Sequence, residues 1–425
     1  MVSTHGYVAA DPPLGLPDTG GQVVYVVELS KKLAEFGFEV DIWTRQFEDQ
    51  PAQEFVSEGV RIIRVPCGGS EFIPKEYLYK KLPELIIQAK EYIRKHNLEY
   101  DFVNSHYWDA GIVGQAISQF LQCPHVHTPH SLGSWKHQQM ETDFPQDKHK
   151  FDEVYNFTER IKHEQEIYVA CDSLVATTPI QIDYFVNDYD IDEEKISMIP
   201  PGYDDNRFFP VSTASRSVLR EQMGFSGKKV VTSVGRLSRN KGFDLLVDAF
   251  SIVAERMDDA YLHLALGTET DETTEDPMLS RIVQKVRDLG LEERVTISPS
   301  LPDEAMADFY RAGDVFCLPS RYEPFGMTAI EAMACGTPTV VTTNGGLYRT
   351  LEYGREALIA DSFDKEDFGI TILKALKHPT IWKRLSQQGA LKTRSLFTWT
   401  GIAQQIINAV ASRKQARIRV DRRSA

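Results

Sequence analysis

The stretch GDVFCLPSRYEPFGMTAIEAMACGTPTVVT, residues 313–342, contains one complete β-α-β unit. A short apolar run is followed by a loop, an amphipathic segment, a turn with glycine and proline, and a second apolar run. Continuous apolar strands on either side of a helix are typical of parallel sheets that helices cover on both faces. The stretch therefore predicts part of a doubly wound α/β domain.

The same alternation runs through the remaining sequence in two series, and the second series starts at KVVTSVG. Between the series, IPPGYDDNRFFP (Ile199–Pro210) has three prolines, one glycine and no clear period, which is typical of a linker. A chain of 425 residues is long enough for two domains. We predict an N-terminal Rossmann-like domain over 1–200, a linker over 201–210, a C-terminal Rossmann-like domain over 211–395, and a helix over 396–425 that packs back on the first domain.

The composition restricts the classes of partner. With 47 basic and 61 acidic side chains the formal net charge is −14, so nucleic acid is not expected as a partner. A phosphate site must then be a local pocket of basic side chains and backbone N–H groups. The five cysteines are widely spaced and odd in number, which predicts reduced thiols and a cytoplasmic location. No apolar run approaches about 18 residues, so no membrane span is expected.

Two glutamates in the opening stretch are eight residues apart. Pro324 and Gly326 predict a turn that leaves the N–H groups of Gly326 and Met327 available to a phosphate. Glu331 falls inside the following helix among apolar neighbours, where a carboxylate needs hydrogen-bond donors such as the two hydroxyls of a ribose. Glu323 precedes the helix and is a candidate for a sugar hydroxyl or for a developing positive charge. For Glu331 alone, a solvent-exposed helix face is the commoner arrangement.

Two cations follow the first strand of the second series, in VGRLSRNKGFDLL. Arg236 comes just after the strand, and Lys241 comes just before a helix. Parallel sheets bind ligands at this end of their strands, and both side chains suit a diphosphate. A solvated basic loop is the alternative.

The first series contains a glycine pair at the start of a long amphipathic helix, in PDTGGQVVYVVELSKKLAEFG. Gly21 would let the backbone approach a ligand, the helix start offers N–H groups, and Gln22 adds a side-chain amide. An ordinary turn between a strand and a helix would show the same pattern.

Histidines cluster at the end of another strand, in PHVHTPHSLG. His130 begins the loop and is a candidate for a group that faces a ligand, although ordinary capping is the usual role of a single histidine. His125 and His127 point to one face of the strand, but no third ligand is near in sequence, so we predict no metal site. Three further basic residues lie scattered in this half, and each alone is a surface charge: Lys75, Lys136 and Arg160.

Together these motifs resemble the retaining nucleotide-sugar glycosyltransferases of the sucrose-phosphate synthase group. The matching elements are GGQ at 20–22, HSLG at 130–133, SVGRLSRNKG at 233–242 and the glutamates at 323 and 331, and the resemblance covers essentially the whole chain. It implies a GT-B fold, in which two Rossmann-like domains flank an interdomain cleft that holds the active site. It also implies transfer of a hexosyl group from a nucleotide sugar to fructose 6-phosphate, with retention of the anomeric configuration. No cofactor is implied as a requirement, although a non-essential Mg²⁺ is compatible.

The resemblance assigns roles to the residues singled out above, with the acceptor in the N-terminal domain and the nucleotide sugar in the C-terminal domain. Arg236 and Lys241 would hold the diphosphate, Glu331 the ribose, and Glu323 the transferred sugar. The implied catalytic residues are His130, Arg236, Lys241 and Glu323. The implied donor-binding residues are Gly21, Arg236, Lys241, Gly326, Met327 and Glu331. The implied acceptor-binding residues are Gly21, Gln22, Lys75, Ser131, Lys136 and Arg160.

The donor and the reaction class have alternatives. Similarity along the whole chain favours GDP-mannose, and UDP-glucose, which would give sucrose 6-phosphate, is the second candidate. A phosphatase-like extension known in some plant members is not found, so a separate phosphatase is expected to act on the product. A nucleotide-sugar epimerase would consume donor without acceptor, a phosphorylase of the pyridoxal type would need a Schiff-base lysine, and a non-catalytic sugar-phosphate sensor would bind without turnover.

Overall fold

The computed structural model describes residues 1–13, 16–267 and 276–424. The chain divides into two compact units: Met1–Pro201 with Trp399–Ala425 form the first, and Gly202–Thr398 form the second. Most of the predicted linker is part of the second unit, because Tyr203 and Phe208 are buried in its core. Aromatic side chains thus anchor a segment whose prolines and glycine suggested a free connection. Among the described residues, no helix is long and apolar enough to cross a membrane.

The first unit is built on parallel strands that form two linked sheets. The strands are β1 (Val40–Gln46), β2 (Gln53–Ser57), β3 (Val60–Pro66), β4 (Val103–His106), β5 (His125–Thr128), β6 (Ser173–Ala176) and β7 (Ile196–Met198). Their orders are β1-β3-β2 and β4-β5-β6-β7. Val2 forms parallel bridges to Trp43 in β1 and Ser105 in β4, and so joins the two sheets. Only β2 runs antiparallel to its neighbour among the strand pairs of the described residues.

Helices flank these sheets. They are α1 (Gly21–Glu35), α2 (Lys75–Leu78), α3 (Leu82–His96), α4 (Trp108–Leu121), α5 (Gly133–Asp143), α6 (Phe151–Tyr155), α7 (Phe157–Ala170) and α8 (Pro179–Asn187). The C-terminal helix α16 (Trp399–Ser424) contacts α1, where the Trp399 and Tyr25 rings meet edge to face at 5.2 Å.

The second unit has one six-stranded parallel sheet in the order β10-β9-β8-β11-β12-β13. Its strands are β8 (Lys229–Arg236), β9 (Ala260–Gly267), β10 (Val295–Pro299), β11 (Val315–Leu318), β12 (Thr339–Thr342) and β13 (Leu358–Ala360). The chain order reverses between β8 and β11, which are hydrogen-bonded neighbours. The crevice at the carboxyl ends of two such strands is where open α/β sheets bind ligands.

Both faces of this sheet are covered, as predicted from its continuous apolar strands. In β11, Val315 and Cys317 belong to one buried cluster, while Phe316 and Leu318 belong to the other. The helices of the unit are α9 (Thr213–Gln222), α10 (Phe243–Arg256), α11 (Pro277–Asp288), α12 (Asp303–Ala312), α13 (Met327–Ala334), α14 (Lys365–Lys377) and α15 (Pro379–Leu396). The prediction of two doubly wound Rossmann-like folds is therefore confirmed.

Gly242 fixes the spacing between the loops that follow β8 and β11. Its φ is +67°, and a Cβ at this position would lie 2.1 Å from the carbonyl oxygen of Pro319. The backbone oxygen of Asn240 also accepts the N–H of Arg321 at 2.8 Å. The two loops can approach this closely only because residue 242 has no side chain.

We expect Gly242→Ala to destabilise the second unit by about 2–4 kcal/mol, because a left-handed backbone conformation and a steric clash add up. Gly290→Ala is the matched control, since Gly290 has a φ of +64° and open space where a Cβ would lie. It should cost only about 1 kcal/mol. Urea unfolding of both variants measures the difference, and equal losses would contradict the role given to the Pro319 contact.

Candidate active site

In the second unit, Lys241 and Glu323 form an ion pair beside the ends of β8 and β11. The Lys241 Nζ lies 2.6 Å from the Glu323 Oε2, and the Ser320 hydroxyl donates to the same oxygen at 3.0 Å. The lysine and glutamate side chains are 24% and 10% exposed. Two residues that the sequence assigned to a diphosphate and a sugar are thus in direct contact. An anion that binds Lys241 would release this carboxylate for another partner.

The start of α13 lies beside this ion pair. Gly326 precedes the helix with a φ of +108°, and a Cβ there would lie 2.6 Å from the Leu318 Cδ2. The first N–H groups of a helix have no partner within the helix, and its dipole favours an anion. Arg236 ends β8 and is half-buried. The residues predicted to bind a diphosphate, including Met327 as the first helical residue, therefore all lie near strand ends of the second unit.

Glu331 lies on α13 and has a protein donor that the sequence did not reveal. The Tyr310 hydroxyl donates to the Glu331 Oε2 at 2.8 Å. Burial raises the pKa of Glu331 to about 7, although the bond from Tyr310 and the charge of Arg207 act in the opposite direction. In the part of the chain that the structure describes, the Oε1 of Glu331 has no hydrogen-bond partner. One oxygen of this carboxylate is therefore available to a ligand hydroxyl.

In the first unit, the glycine pair begins α1 as predicted, and Gln22 connects this helix to the sheet. The Gln22 Nε2 donates to the Ser3 Oγ at 3.3 Å and to the His106 carbonyl at 3.2 Å. Gly21 is the first helical residue. The amide of Gln22 thus has partners within the protein, which fix its orientation.

His130 adopts a left-handed backbone conformation, with a φ of +61°. Its Nε2 lies 3.0 Å from the His106 Nδ1, and its ring packs on the edge of Tyr25. Burial, with a smaller contribution from His5, lowers the pKa of His130 to about 3. The imidazole is therefore neutral at neutral pH and acts as a hydrogen-bonding group rather than as a cation.

The three scattered basic residues interact with one another electrostatically. Burial, together with the charges of Arg160 and Lys75, lowers the pKa of Lys136 to about 7. The Lys136 Nζ lies 4.6 Å from the centre of the Tyr155 ring, and no carboxylate among the described residues forms an ion pair with it. Lys75 pairs with Asp18 and lies 3.4 Å from Glu76. Lys136 therefore lies close enough to Arg160 and Lys75 for both charges to act on its pKa.

Arg160 is buried and its donors are used within the protein. Its Nε donates to the Glu164 Oε1 at 2.8 Å, its Nη1 to the Tyr107 hydroxyl at 2.9 Å, and its Nη2 to the Ser131 carbonyl at 2.7 Å. Glu164 also accepts the N–H of Gly133 at 2.9 Å. Arg160 thus holds the loop that contains Ser131, which is a structural task in addition to the predicted contact with a phosphate.

A further buried pair, His5 and Asp109, was missed by the sequence reasoning. The His5 Nδ1 lies 2.8 Å from the Asp109 Oδ2, and Thr4 donates to the same oxygen at 2.7 Å. Burial opposes protonation of His5, but the charge and hydrogen bond of Asp109 raise its pKa. The two residues are 104 positions apart in sequence, so no local pattern could have linked them.

His125 and His127 both contact the hydroxyl of Ser105. The Ser105 hydroxyl lies 2.7 Å from the His125 Nε2 and 2.8 Å from the His127 Nδ1. Within residues 1–13, 16–267 and 276–424, no group of three or more His, Cys, Asp or Glu side chains has a geometry that could hold a metal ion.

Two family models match consecutive parts of the chain. The model described as Glycosyltransferase Family 4 matches residues 19–207, and the model described as Glycosyl transferases group 1 matches residues 215–392. The first match lies almost entirely in the first unit and the second match lies within the second unit.

Several known proteins are similar along most of the chain. Mannosylfructose-phosphate synthase of Agrobacterium fabrum is 57% identical over 413 residues, which are 97% of this chain and 91% of that protein. D-inositol 3-phosphate glycosyltransferase of Paenarthrobacter aurescens is 33% identical over 83% of this chain and 84% of its own length. The structure of sucrose-phosphate synthase from Thermosynechococcus elongatus matches with a TM-score of 0.83 and 30% identity, and the match covers 98% of each chain. The predicted GT-B fold class is confirmed.

The buried histidines make the stability of the protein depend on pH. Burial lowers the pKa of His125 to about 4 and lowers those of His106 and His127 as well. The unfolded chain therefore binds more protons below pH about 6.5, and each such histidine removes about 1.4 kcal/mol of stability per pH unit. We expect the free energy of unfolding to fall as the pH decreases from about 6.5 to 5.

Urea unfolding at several pH values tests this expectation. His125→Gln should make the decrease shallower by the contribution of one proton, and His149→Gln serves as a control for replacing an exposed histidine. An unchanged slope in His125→Gln would show that His125 is not a neutral buried group in the folded protein.

Proposed function

Because the chain belongs to the GT-B glycosyltransferases of the sucrose-phosphate synthase group, we propose that it transfers a mannosyl group from GDP-mannose to fructose 6-phosphate. The product would be a non-reducing mannosylfructose phosphate. The observation that carries this choice is the 57% identity to mannosylfructose-phosphate synthase over 97% of the chain. UDP-glucose remains the alternative donor, supported by the 30% identity to sucrose-phosphate synthase.

The donor would bind in the second unit through its diphosphate and ribose. Arg236, Lys241 and the start of α13 offer positive charge and N–H groups where the nucleoside diphosphate leaves. The diphosphate would replace Glu323 as the partner of Lys241, and Glu323 would then accept a hydroxyl of the transferred sugar. Glu331 would accept the ribose hydroxyls through the oxygen that Tyr310 leaves available.

The acceptor phosphate would bind at Lys75, Lys136 and the Arg160–Ser131 loop. The charges of Arg160 and Lys75 disfavour the ammonium form of Lys136, and a phosphate dianion would offset this effect. A bound phosphate would therefore favour the ammonium form of Lys136, whose pKa is lowered to about 7 in its absence. Gly21 and Gln22 begin α1 and would contact the acceptor and the distal phosphate of the donor.

The reaction would proceed on one face of the sugar. The bond between the anomeric carbon and the diphosphate oxygen breaks, the acceptor hydroxyl oxygen forms the new bond from the same side, and the hydroxyl proton passes to the departing phosphate oxygen. Because the acceptor attacks on the face from which the diphosphate leaves, the anomeric configuration is retained. His130, neutral because of its lowered pKa, would hydrogen-bond the sugar near the reacting centre without adding charge.

Three accessory features belong to the proposal. Fixed cations would stabilise the negative charge that develops on the departing diphosphate, as a divalent ion does in other reactions of this kind. No metal would then be required, and Mg²⁺ would be optional. A separate phosphatase would act on the product. The cysteine pattern predicts a cytoplasmic location.

Product identification separates the candidate functions. The protein is incubated with fructose 6-phosphate and with GDP-mannose or UDP-glucose, in buffer that contains EDTA or Mg²⁺. We expect one disaccharide phosphate, formed from GDP-mannose in either buffer. A product from UDP-glucose alone would select the alternative donor, consumption of donor without acceptor would indicate an epimerase, and tight binding without turnover would indicate a sensor.

Two lysine variants should affect different kinetic constants. Lys241→Ala should lower kcat about 10²–10³-fold, because the leaving diphosphate loses a fixed cation. Lys75→Ala should raise the KM for fructose 6-phosphate about tenfold or more, with little change in the KM for the donor. Lys162→Ala removes an exposed lysine of α7 and is the control. Unchanged turnover in Lys241→Ala would overturn the donor assignment.

A further inference from the structure

We propose that Tyr310 is a positioning residue for the donor, because its hydroxyl holds Glu331 as an ionised, oriented acceptor for the ribose hydroxyls. This inference rests on the proposed role of Glu331 as the ribose ligand. Tyr310 would not touch the reacting atoms and would act through the carboxylate alone.

The position of the Tyr310 hydroxyl is fixed by its surroundings. Tyr310 is 0% exposed, and its ring packs edge to face on Phe316 at a centroid distance of 5.4 Å. Its backbone oxygen accepts the Thr337 hydroxyl at 2.6 Å, which ties α12 to the segment after α13. The hydroxyl therefore meets the Glu331 Oε2 at 2.8 Å from a rigid position, and it selects one orientation of the carboxylate.

This orientation divides the two oxygens of Glu331 between the protein and a ligand. The Oε2 accepts from Tyr310, and the Oε1 has no hydrogen-bond partner in the described ranges. An ionised carboxylate is an acceptor at both oxygens, whereas its protonated form carries a donor O–H on one of them and is a weaker acceptor. The hydrogen bond from Tyr310 favours the ionised form of Glu331. Its effect on ligand binding is therefore largest at pH values where the carboxyl would otherwise be protonated.

The environment of Glu331 makes its ionisation sensitive to this one bond. Burial raises its pKa to about 7, Tyr310 and Arg207 lower it, and Asp303 raises it. Arg207 is itself paired with Asp303 at 3.0 Å, so its charge is partly compensated. Cys335 also lies close enough to interact with the pair and has a raised pKa, caused mainly by burial. Without the Tyr310 hydroxyl, the carboxyl would be mostly protonated at pH 7.

The test measures the affinity for GDP and UDP by calorimetry from pH 6 to 8.5, in the wild type and in Tyr310→Phe. If the pKa of Glu331 rises by about one unit, the ionised fraction at pH 7 falls about fivefold, whereas at pH 8.5 the two proteins differ by less than about twofold. We therefore expect affinity for the cognate nucleotide to weaken about fivefold at pH 7 and to recover at higher pH. The kcat of the saturated variant should change much less than its KM for the donor.

Two controls separate positioning from a structural effect. Tyr203→Phe removes the hydroxyl of another tyrosine buried in the same unit and should leave nucleotide affinity unchanged at every pH. Nucleotides that lack both ribose hydroxyls should bind equally to the wild type and to Tyr310→Phe. A loss in Tyr310→Phe that is the same at all pH values, or the same for the deoxy nucleotides, would overturn the proposal.

The wild type and Glu331→Gln complete the test. In the wild type, affinity for the ribonucleotide should fall as the pH decreases through about 7, and a pH-independent affinity would contradict the proposal even if Tyr310→Phe were unstable. In the Glu331→Gln background, Tyr310→Phe should have no additional effect. If Glu331→Gln bound nucleotides like the wild type, the ribose role of Glu331 in the proposed function would fail, which is a different result from failure of the Tyr310 role alone.

Discussion

Compensation of cations by carboxylates is the constraint that governs both candidate sites. In a chain with a net charge of −14, Lys241 is paired with Glu323, Lys75 with Asp18, and Arg160 with Glu164. These pairs keep partly or fully buried cations in place without a ligand, since an uncompensated buried charge is costly. In the proposed function, a phosphate that binds Lys241 or Lys75 would replace the paired carboxylate, whereas Lys136 has no ion-pair partner among the described residues. In the proposed function, the acidic protein would bind anionic substrates while its positive charge stays local.

The architecture of the second unit explains where Lys241 and Glu323 meet. The sheet reverses its order between β8 and β11, so two strand ends and the loops after them lie side by side. Gly242 allows these loops to approach closely, and α13 starts at the same edge. Backbone spacing thus determines which side chains meet, and the Lys241–Glu323 contact follows from it. Residues far apart in sequence are brought together by strand order, which only the folded sheet provides.

Much of this arrangement could be predicted from the sequence, for physical reasons. Apolar runs between amphipathic segments predict parallel strands covered by helices, and glycines such as Gly326 mark turns at strand ends. The antiparallel strand β2 did not show in the pattern, although Gly59 follows it and turns the chain. The segment 201–210 has the composition of a linker, yet Tyr203 and Phe208 anchor it in a core. The composition of a segment indicates its local conformational preference. Whether its side chains are buried depends on residues that are distant in sequence.

The partners of the candidate residues were the least predictable part. Tyr310 and Glu331 lie on different helices, and His5 and Asp109 are 104 positions apart in sequence. By contrast, Arg160 and Glu164 are four residues apart on α7, a spacing that could have revealed their ion pair. The sequence identified side chains that suit a phosphate or a sugar. The structure showed which other residues pair with these side chains and orient them.

The pKa of about 7 at Lys136 has a thermodynamic consequence for the proposed acceptor. At neutral pH this amine is protonated in about half of the molecules. A phosphorylated ligand stabilises the ammonium form, so association would draw protons from the surrounding solution. The measured heat would then include the ionisation enthalpy of the buffer and would differ between PIPES, which ionises with little heat, and Tris, which ionises with a large heat, at the same affinity.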